Sequence, residues 1–154
     1  DLPWAWHHTI NQAPMGKQRP RAASIGGHAR MFTPTATRQW EHFAAGDLRA
    51  AWLLEGRDQV DGPLALDVVA VFPRTTALLT QSKRDDRYKF GTGRLWMPVR
   101  VDADNIAKIV CDAMQNAAIF ANDCVIVDLT VRKFYAAIGE APHVAIVLAS
   151  AAAP

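Results

Sequence analysis

The sequence predicts a single α+β domain in which two main helices pack against a mixed β-sheet. The chain has 154 residues, which is enough to bury a real hydrophobic core. Half of the residues are hydrophobic and 21% are charged, as in ordinary globular domains. β-rich apolar runs alternate with two segments whose apolar residues recur at helical spacing, in the order β-β-α-β-α-β-β. That order favours one sheet with helices packed on it.

The first third of the chain is expected to form two short strands, a loop and a long helix. Residues His8 to Gln12 and His28 to Phe32 can form the strands, and the prolines and glycines of residues 13–27 predict a loop between them. Thr33 and Pro34 then open the helix as its cap and its first residue, and Gly56 ends it. The residues expected on its core face are Trp40, Phe43, Ala44, Leu48, Ala51 and Trp52.

A buried strand and a long excursion follow. Leu64 to Phe72 is a β-rich run that suits a well-buried strand, and Pro73 stops it. Residues 74–98 carry many charges and have weak periodicity, which predicts a long, partly mobile excursion. Its Gly91-Thr92-Gly93 is a weak candidate for a phosphate cradle, because neither a strand-loop-helix context nor a Walker lysine accompanies it.

A second helix and two strands complete the expected domain, which spans residues 1–154. The helix runs from about Ala103 to Ala117, and strands are predicted over Val125 to Tyr135 and His143 to Leu148. Residues 149–154 are expected to be a frayed tail. Apolar faces are predicted for the helix (Ile106, Ile109, Val110, Ala113, Met114, Ala117) and for the first of these strands (Val125, Val127, Leu129, Val131).

The two cysteines and the apolar runs bear on the compartment. Cys111 and Cys124 have apolar neighbours, which favours buried free thiols in a reducing cytoplasm over a disulfide. All apolar runs are too short to span a bilayer, and the first residues do not read as a signal peptide. The sequence therefore predicts a cytoplasmic protein without a membrane partner.

Charge is distributed unevenly although the net charge is only +2. Five of the fifteen acidic residues fall between Asp102 and Asp128, which predicts a basic surface next to an acidic pocket. A solvated charged face is the alternative reading of any one cluster taken alone. The clustered basic residues are Lys17, Arg19, Arg21, Lys83, Arg84, Arg87, Lys89, Arg94 and Arg100.

The strongest functional signal is a group of acids around the second helix. Asp102 and Asp104 flank its start, Lys108 follows one turn later, and Asp123 lies just past its end. Like charges repel, so such a group suits a divalent cation such as Mg²⁺, with Mn²⁺ as an alternative. Capping of free N–H groups is the structural alternative for either of the first two acids.

These residues would act together only if the loop before Asp123 folds back towards the helix. In that case a metal would activate water and neutralise charge, and Lys108 would add positive charge at the phosphate. Asp104 and Lys108, at i and i+4, are expected to face one another. Lys17, Arg19 and Arg21 lie in a loop stiffened by proline and would hold phosphates. The pattern predicts a metal-dependent enzyme acting on phosphodiesters.

Several separated blocks of the chain resemble the RusA family of Holliday junction resolvases, over residues 9–136. The most specific block is the Asp-x-Asp-Asn-x-x-Lys segment at 102–108 with a downstream Asp123. The other blocks are Lys17-Gln18-Arg19-Pro20-Arg21, Phe32-Thr33-Pro34-Thr35-Ala36-Thr37, Ile109-Val110-Cys111-Asp112-Ala113, Asn122-Asp123-Cys124-Val125-Ile126-Val127 and Lys133-Phe134-Tyr135.

The resemblance implies a small, homodimeric, magnesium-dependent endonuclease that nicks opposed strands of four-way DNA junctions in recombination and repair, often of prophage origin. It implies metal binding by Asp102, Asp104 and Asp123, and catalysis by these acids with Lys108. Arg100 and Lys133 join Lys17, Arg19 and Arg21 as expected DNA contacts, and Asn105 and Asp112 are expected to support the site. Val101 and Asn122 depart from the family pattern, which often has proline or a basic residue, and an acid, at these positions.

Two functions from other classes compete with this reading. One is a binder of branched DNA without catalytic activity, against which the intact Asp102, Asp104, Lys108 and Asp123 argue. The other is a metal-dependent phosphohydrolase of small substrates. The spread of basic clusters over three segments favours a polymeric substrate over a small one.

Overall fold

A computed structural model describes residues 3–154 and has the expected α+β architecture. The first half of the chain forms β1 (Ala5–Ile10), β2 (Arg21–Ile25), β3 (His28–Phe32), α1 (Thr35–Leu54) and β4 (Leu64–Phe72). The second half forms β5 (Leu95–Trp96), α2 (Ala103–Asn116), β6 (Ile126–Tyr135) and β7 (His143–Ser150). Two short 3₁₀ helices occupy Thr76–Leu79 and Asp123–Val125.

The main sheet is mixed and has the strand order β1-β7-β4-β6-β5. β4 and β6 are parallel, and the remaining neighbours are antiparallel. β4 lies at the centre, which explains why its sequence is an almost continuous apolar run rather than an alternating one. The segment that connects the two parallel strands contains α2, and this crossover brings the helix back onto the sheet.

Both helices pack against one another and cover one face of the sheet. Trp6 of β1 meets Trp52 of α1 edge to face, with ring centroids 4.9 Å apart. The indole N–H groups of Trp40 and Trp52 donate to the backbone carbonyls of Ala13 and Asp58. Trp40 and Trp52 are therefore buried core residues, as their helical spacing predicted, and their indole N–H groups have partners.

Helix α2 confirms its predicted apolar face. It starts at Ala103 as expected and ends at Asn116, one residue early. Leucine-sized side chains at three- and four-residue spacing lie against α1 and β6, which fixes how the helix is rotated about its axis. The residues of this face that are buried are Ile106, Ile109, Val110, Ala113, Met114 and Ala117.

The loop predicted over residues 13–27 is partly wrong, because β2 lies within it and pairs with β3 as a hairpin. The turn consists of Gly26 and Gly27, with φ angles of 60° and 80°. A two-residue hairpin turn of this type needs positive φ at both positions, which glycine adopts without strain. The same glycines that indicated a loop thus make the tight connection of a hairpin. The first strand is also shifted, to Ala5–Ile10.

Three further expectations about ends and faces are wrong. Helix α1 begins at Thr35 with Pro34 at the N-cap position, so Thr33 is not its cap. Phe43 is half exposed, because the buried stripe of α1 follows positions 37, 40, 44, 48 and 52 instead. The tail is ordered as far as Ser150, whose N–H donates to the carbonyl of Trp4, and Ala151 donates to Pro63.

Strand β6 contains a β-bulge that sequence alternation does not show. Leu64 pairs with Ile126, whereas Ala65 pairs with Asp128, so Val127 is the extra residue. The expected single face of Val125, Val127, Leu129 and Val131 is therefore wrong. Val127 is 63% exposed and Leu129 is 47% exposed. Across residues 3–154, the helices are all too short or too polar to cross a membrane.

Candidate active site

The N-terminus of α2 presents the first two acids and the lysine. Asp102 occupies the N-cap position and is exposed, yet within the described chain its carboxylate accepts no capping hydrogen bond from the helix. Asp104 in the first turn and Lys108 one turn later are also exposed. Because the side chains at i and i+4 share a face, the buried side of α2 directs this pair to solvent. The capping alternative therefore does not account for Asp102.

The chain after α2 folds back along the helix and returns Asp123 to it. Ile119 and Phe120 are fully buried, and Ile119 N–H donates to the carbonyl of Met114. Asn122 caps the short 3₁₀ helix, with its Oδ1 accepting a hydrogen bond of 2.9 Å from Cys124 N–H. This gives Asn122 a structural role at the position where the family often has an acid. The loop before Asp123 therefore folds back towards α2, as the predicted site requires.

Asp104, Lys108 and Asp123 line one open pocket of about 370 Å³. The side chain of Cys111 lies at its base, where burial raises the thiol pKa to about 11. The charges of Asp123 and Asp112 contribute to this raised pKa, and the charge of Lys108 opposes it. The apolar wall is formed by Ala107, Ile126 and Leu129.

A second, larger cleft of about 620 Å³ lies next to the start of α2. It brings together four of the five expected DNA contacts from two distant segments of the chain. Asp102 and Asn105 border the same cleft. The first turn of α2 therefore has the acidic pocket on one side and a basic cleft on the other. The basic residues that line the cleft are Lys17, Arg19, Arg21 and Arg100.

Gly16 brings the basic loop into direct contact with α2. A Cβ atom at this position would overlap Cγ1 of Val101, and it would lie 3.3 Å from Cβ of Asn105. The next residue, Lys17, donates its backbone N–H to the carbonyl of Asn105 at 2.9 Å. Glycine at this position therefore lets the loop backbone lie against the side chain of Val101. A loop glycine alone gives no sign of this contact, and the sequence did not reveal it.

The side chain of Lys17 belongs to an ionic cluster rather than to open solvent. Its Nζ pairs with Glu41 of α1, and it lies 3.0 Å from Oδ2 of Asp112. Burial acts to lower the pKa of Lys17, but hydrogen bonds and charges from Glu41 and Asp112 outweigh it, so the pKa is raised above 10.5. Asp112 also pairs with Lys108 at 3.6 Å, in place of the expected Asp104–Lys108 pair. Glu41 was not anticipated from the sequence.

Lys133 also has a structural contact. Its Nζ donates to the carbonyls of Val99 and Val101, at 2.8 and 2.6 Å. These bonds hold the segment that leads into Asp102. The ammonium of Lys133 therefore lies next to the segment that precedes α2. This contact helps to fix the position of Asp102.

Two of the three expected metal-binding acids share a pocket, Asp104 and Asp123, whereas Asp102 borders the adjacent cleft. Among residues 3–154, no three Asp, Glu, His or Cys side chains are close enough to form a ready-made metal site. Two carboxylates in an open pocket nevertheless fit magnesium. This ion keeps several waters and is commonly bound through one or two carboxylates together with substrate phosphates.

Comparison with known proteins decides the family. The sequence model of endodeoxyribonuclease RusA matches residues 11–148, which is most of the chain. The chain belongs to the RusA family. One relative of this RusA-family chain is the uncharacterized protein YqaN of Bacillus subtilis (strain 168), which is 27% identical over 140 residues. That alignment covers 91% of this chain and 92% of YqaN.

Membership in the RusA family makes this chain an endodeoxyribonuclease of the kind that acts on Holliday junctions. The matched region contains the pocket acids, Lys108 and the basic cleft. The predicted family is therefore confirmed. The roles expected for individual residues of this RusA-family chain remain predictions. They must be compatible with the geometry of the pocket and the cleft.

The two cysteines should differ in reactivity. Both are free thiols, but only Cys111 is buried, and the expectation of a buried Cys124 is wrong because the 3₁₀ helix exposes it. We expect one thiol per native chain to react with an aromatic disulfide reagent at neutral pH, and two after unfolding. The Cys124→Ser variant should have no fast-reacting thiol. Equal reaction rates for both native thiols would contradict this assignment.

The ionic cluster predicts a stability effect at Lys17. Replacing Lys17 with Met leaves Glu41 without its cation and Asp112 with Lys108 alone, and we expect the unfolding free energy to fall by about 2 kcal/mol at pH 7. Because the folded pKa is raised, the contribution of Lys17 is complete below 10.5 and is lost as the pH rises through the folded value. Urea unfolding at pH 7, 9 and 11 measures this.

The exposed Lys83 provides the matched control for the same charge change. Lys83→Met should alter the unfolding free energy by less than about 0.5 kcal/mol. A Lys17→Met variant as stable as the Lys83→Met variant would show that the cluster does not stabilise the fold.

Proposed function

We propose that this RusA-family endodeoxyribonuclease resolves four-way DNA junctions by paired nicks, with Mg²⁺ as its cofactor. The observation that carries the proposal is the placement of Asp104, Lys108 and Asp123 in one pocket, next to a cleft of basic residues, in a chain of this family. A carboxylate pocket suits the cation, and a basic cleft suits a phosphate backbone.

Asp104 and Asp123 are the residues that we assign to the metal. They approach the pocket from different elements, one from the first turn of α2 and one from the 3₁₀ helix before β6. Asp102, which lines the adjacent cleft two residues before Asp104, is the third candidate ligand. The bound ion would supply charge neutralisation and a water of lowered pKa. Mg²⁺ suits the all-oxygen ligands, and Mn²⁺ accepts the same set.

Lys108 is assigned to the phosphate. Its side chain is 58% exposed, so its ammonium can reach a strand lying over the pocket. Asp112, one turn later, pairs with it at 3.6 Å and so limits the directions in which it can extend. A lysine in this position places positive charge where negative charge develops on the phosphate or the leaving oxygen. Asp112 is thus a positioning residue in this proposal.

The basic cleft is assigned to DNA that approaches the pocket. Arg19 and Arg21 are exposed on the loop and on β2, and Arg100 faces them across the cleft. A guanidinium group can donate two parallel hydrogen bonds to one phosphate. Such phosphate contacts do not depend on the base sequence, which suits recognition of a junction by its shape. Because Lys17 is held by two carboxylates, we assign it to the support of the loop and the three arginines to the backbone contacts.

The proposal includes the assembly and the pathway. A four-way junction has near-twofold symmetry, and a C2 homodimer supplies two sites related in the same way, so one dimer can make both cuts. Such cuts belong to DNA recombination and repair in the cytoplasm, and we extend the family's frequent prophage origin to this chain. The sequence features that carry this step are those of the RusA family.

Loss of either pocket acid should abolish cleavage but preserve binding. Asp104→Asn and Asp123→Asn remove charge without changing size, so we expect single-turnover cleavage of a synthetic four-way junction with Mg²⁺ to fall at least about 10³-fold. Junction affinity, measured in the presence of Ca²⁺ instead, should be unchanged or tighter, because a repulsive charge is removed. Asp61→Asn, at an exposed position before β4, is the matched control.

Lys108→Ala in the same assay separates the roles of the ammonium. A slower cleavage step with unchanged affinity is expected, because the charge acts on the transition state. Wild-type rates in Asp104→Asn and Asp123→Asn together would overturn the metal assignment. Binding without cleavage in the wild-type chain would instead favour the non-catalytic DNA binder, and equal cleavage of small phosphodiesters would favour the phosphohydrolase.

The arginines of the cleft should determine the salt dependence of binding. For Arg19→Ala and Arg21→Ala together, we expect the slope of log affinity against log salt to flatten by about 0.9 for each duplex phosphate that the variant no longer binds. The double variant Arg84→Ala and Arg87→Ala, in the excursion, removes the same charge and should keep the wild-type slope. Fluorescence anisotropy of a labelled junction over a salt series measures both. Equal slopes for the two double variants would contradict the cleft assignment.

A further inference from the structure

The β2–β3 hairpin stands apart from the body of the molecule. It forms a two-stranded sheet of its own, separate from the main sheet. Its strand residues are all exposed except Ala23, which is half-buried. A Cβ atom added at Gly26 or Gly27, in the turn, would meet no atom within 4 Å. The hairpin therefore extends into solvent and adds little to the stability of the fold, because that stability comes from buried apolar surface.

The two faces of the hairpin differ in their chemistry. Side chains that lie directly opposite in an antiparallel pair share a face, and successive pairs alternate between the faces. All of the hairpin's arginine, histidine and phenylalanine side chains lie on one face, here called the arginine face. This face consists of the pairs Arg21–Phe32, Ala23–Arg30 and Ile25–His28. The opposite face has only small side chains and one methionine, in the pairs Ala22–Met31 and Ser24–Ala29.

The charge of the arginine face suits a polyanion. The sequence from Leu2 to Trp40 contains no Asp or Glu. Within residues 3–154, neither Arg21 nor Arg30 forms an ion pair with an acid. Arg21 also lines the basic cleft, so the arginine face continues from the cleft. A second copy of the chain would present the same positive charge and be repelled, whereas a nucleic acid offers phosphates to the arginines and bases to the apolar side chains.

The end of the hairpin is long enough to reach the bases. Its turn of two glycines has no side chains, so Ile25 and His28 are the outermost side chains of the arginine face. Ile25 is 56% exposed. Ile25 lies four residues beyond Arg21, which is roughly 13 Å in an extended strand. The major groove of DNA is only about 8.5 Å deep, so Ile25 can reach the base stack while Arg21 holds a phosphate.

We propose that the β2–β3 hairpin recognises the branch point of the DNA, with Arg30 on a phosphate and Ile25 inserted between bases where the arms of the junction meet. An apolar side chain enters a continuous duplex only by separating two stacked base pairs, which costs free energy. Stacking is already interrupted at a branch point, so the same insertion costs less there. Ile25 therefore favours a branch over a linear duplex, whereas phosphate contacts are available on both.

This inference rests on the proposed function for the identity of the substrate. It adds the element that selects the branched form of that substrate. The arginines of the cleft contact a backbone that linear DNA also has, so they supply affinity for both forms. Preference for a junction needs a contact that only the branch offers, and the exposed apolar end of the hairpin provides one.

Ile25→Ser tests the insertion, and Met31→Ser is its matched control. Both side chains are exposed on the same hairpin, at 56% and 67%, but they lie on opposite faces. Fluorescence anisotropy, with Ca²⁺ in place of Mg²⁺, measures the affinity for a four-way junction and for a linear duplex of the same arm sequence. Ile25→Ser should lower the junction affinity at least about fivefold and keep the duplex affinity within about twofold of the wild type. Met31→Ser should change neither affinity.

Arg30→Gln separates the phosphate contact from the insertion. We expect it to weaken binding of the junction and of the duplex by the same factor, because both have the phosphate. The slope of log affinity against log salt should flatten by about 0.9 for the one duplex phosphate lost. Arg84→Gln, at an exposed position in the excursion, removes the same charge and should keep the wild-type slope.

A 2-aminopurine base at the branch point reports the insertion directly. Binding of the wild type and of Met31→Ser should raise its fluorescence by unstacking the base, and binding of Ile25→Ser should not. The same base in the middle of an arm should not respond to any of the three. Equal ratios of junction to duplex affinity in Ile25→Ser and Met31→Ser, or an equal response of the base at the branch, would refute the proposal.

Two further measurements separate this inference from other outcomes. If phosphatidylserine vesicles bind the wild type but not Ile25→Ser, while the junction binds both equally, the hairpin contacts a lipid surface and the proposal is wrong. Mg²⁺-dependent cleavage of the junction by the wild type decides the proposed function. Cleavage together with equal affinity ratios in the two hairpin variants rejects this inference alone. A reduced ratio in Ile25→Ser without wild-type cleavage rejects the proposed function and keeps the hairpin as a branch-recognising element.

Discussion

The candidate site depends on the burial of one face of α2. Its apolar side chains, with Ile106 and Ile109 fully buried among them, are fixed between α1 and the sheet, so the helix cannot rotate about its axis. Each buried side chain of this size contributes about 1.5–3 kcal/mol, far more than any surface ion pair. The polar face is thereby directed outwards, which fixes where Asp104 and Lys108 leave the helix, and the ion pair with Asp112 further limits the directions of Lys108. The buried Ile119 and Phe120 extend the same core and return Asp123 to this helix.

A partly buried ionic cluster connects this helix to the rest of the molecule. Lys17 of the basic loop, Glu41 of α1, and Asp112 and Lys108 of α2 form a chain of ion pairs. Desolvation makes such groups costly when unpaired, so a change at one of them is felt by the others. The cluster therefore couples the loop that borders the cleft to the lysine in the pocket. Gly16 reinforces the coupling by letting the loop backbone touch Val101 and Asn105.

The sequence pattern predicted correctly the elements whose burial is regular along their length. The predictions were wrong where pairing between distant segments determines the structure. β4 and α2 have uniform environments, so their bounds and apolar residues followed from periodicity. The bulge at Val127 arises from the register between β4 and β6, and the hairpin of β2 and β3 depends on positive φ at Gly26 and Gly27. The acids and Lys108 were recognised from their clustering around one short helix, and the resemblance to a family then supported them. Glu41, the partner of Lys17, lies on α1, and a single sequence does not show which distant residues come into contact.

Basic and acidic residues lie on different sides of the first turn of α2. On one side the cleft sets Arg19, Arg21 and Arg100 against a single acid, Asp102, and on the other side the pocket sets two acids against Lys108. A DNA strand is attracted to the first surface and repelled by the second until a cation is present. In the proposed function binding and cutting are therefore separable: the arginines would hold the backbone, and the acids would accept the scissile phosphate only together with metal. Asp102 lines the cleft immediately before the first turn of α2, and its place in the ligand set belongs to the proposed function alone.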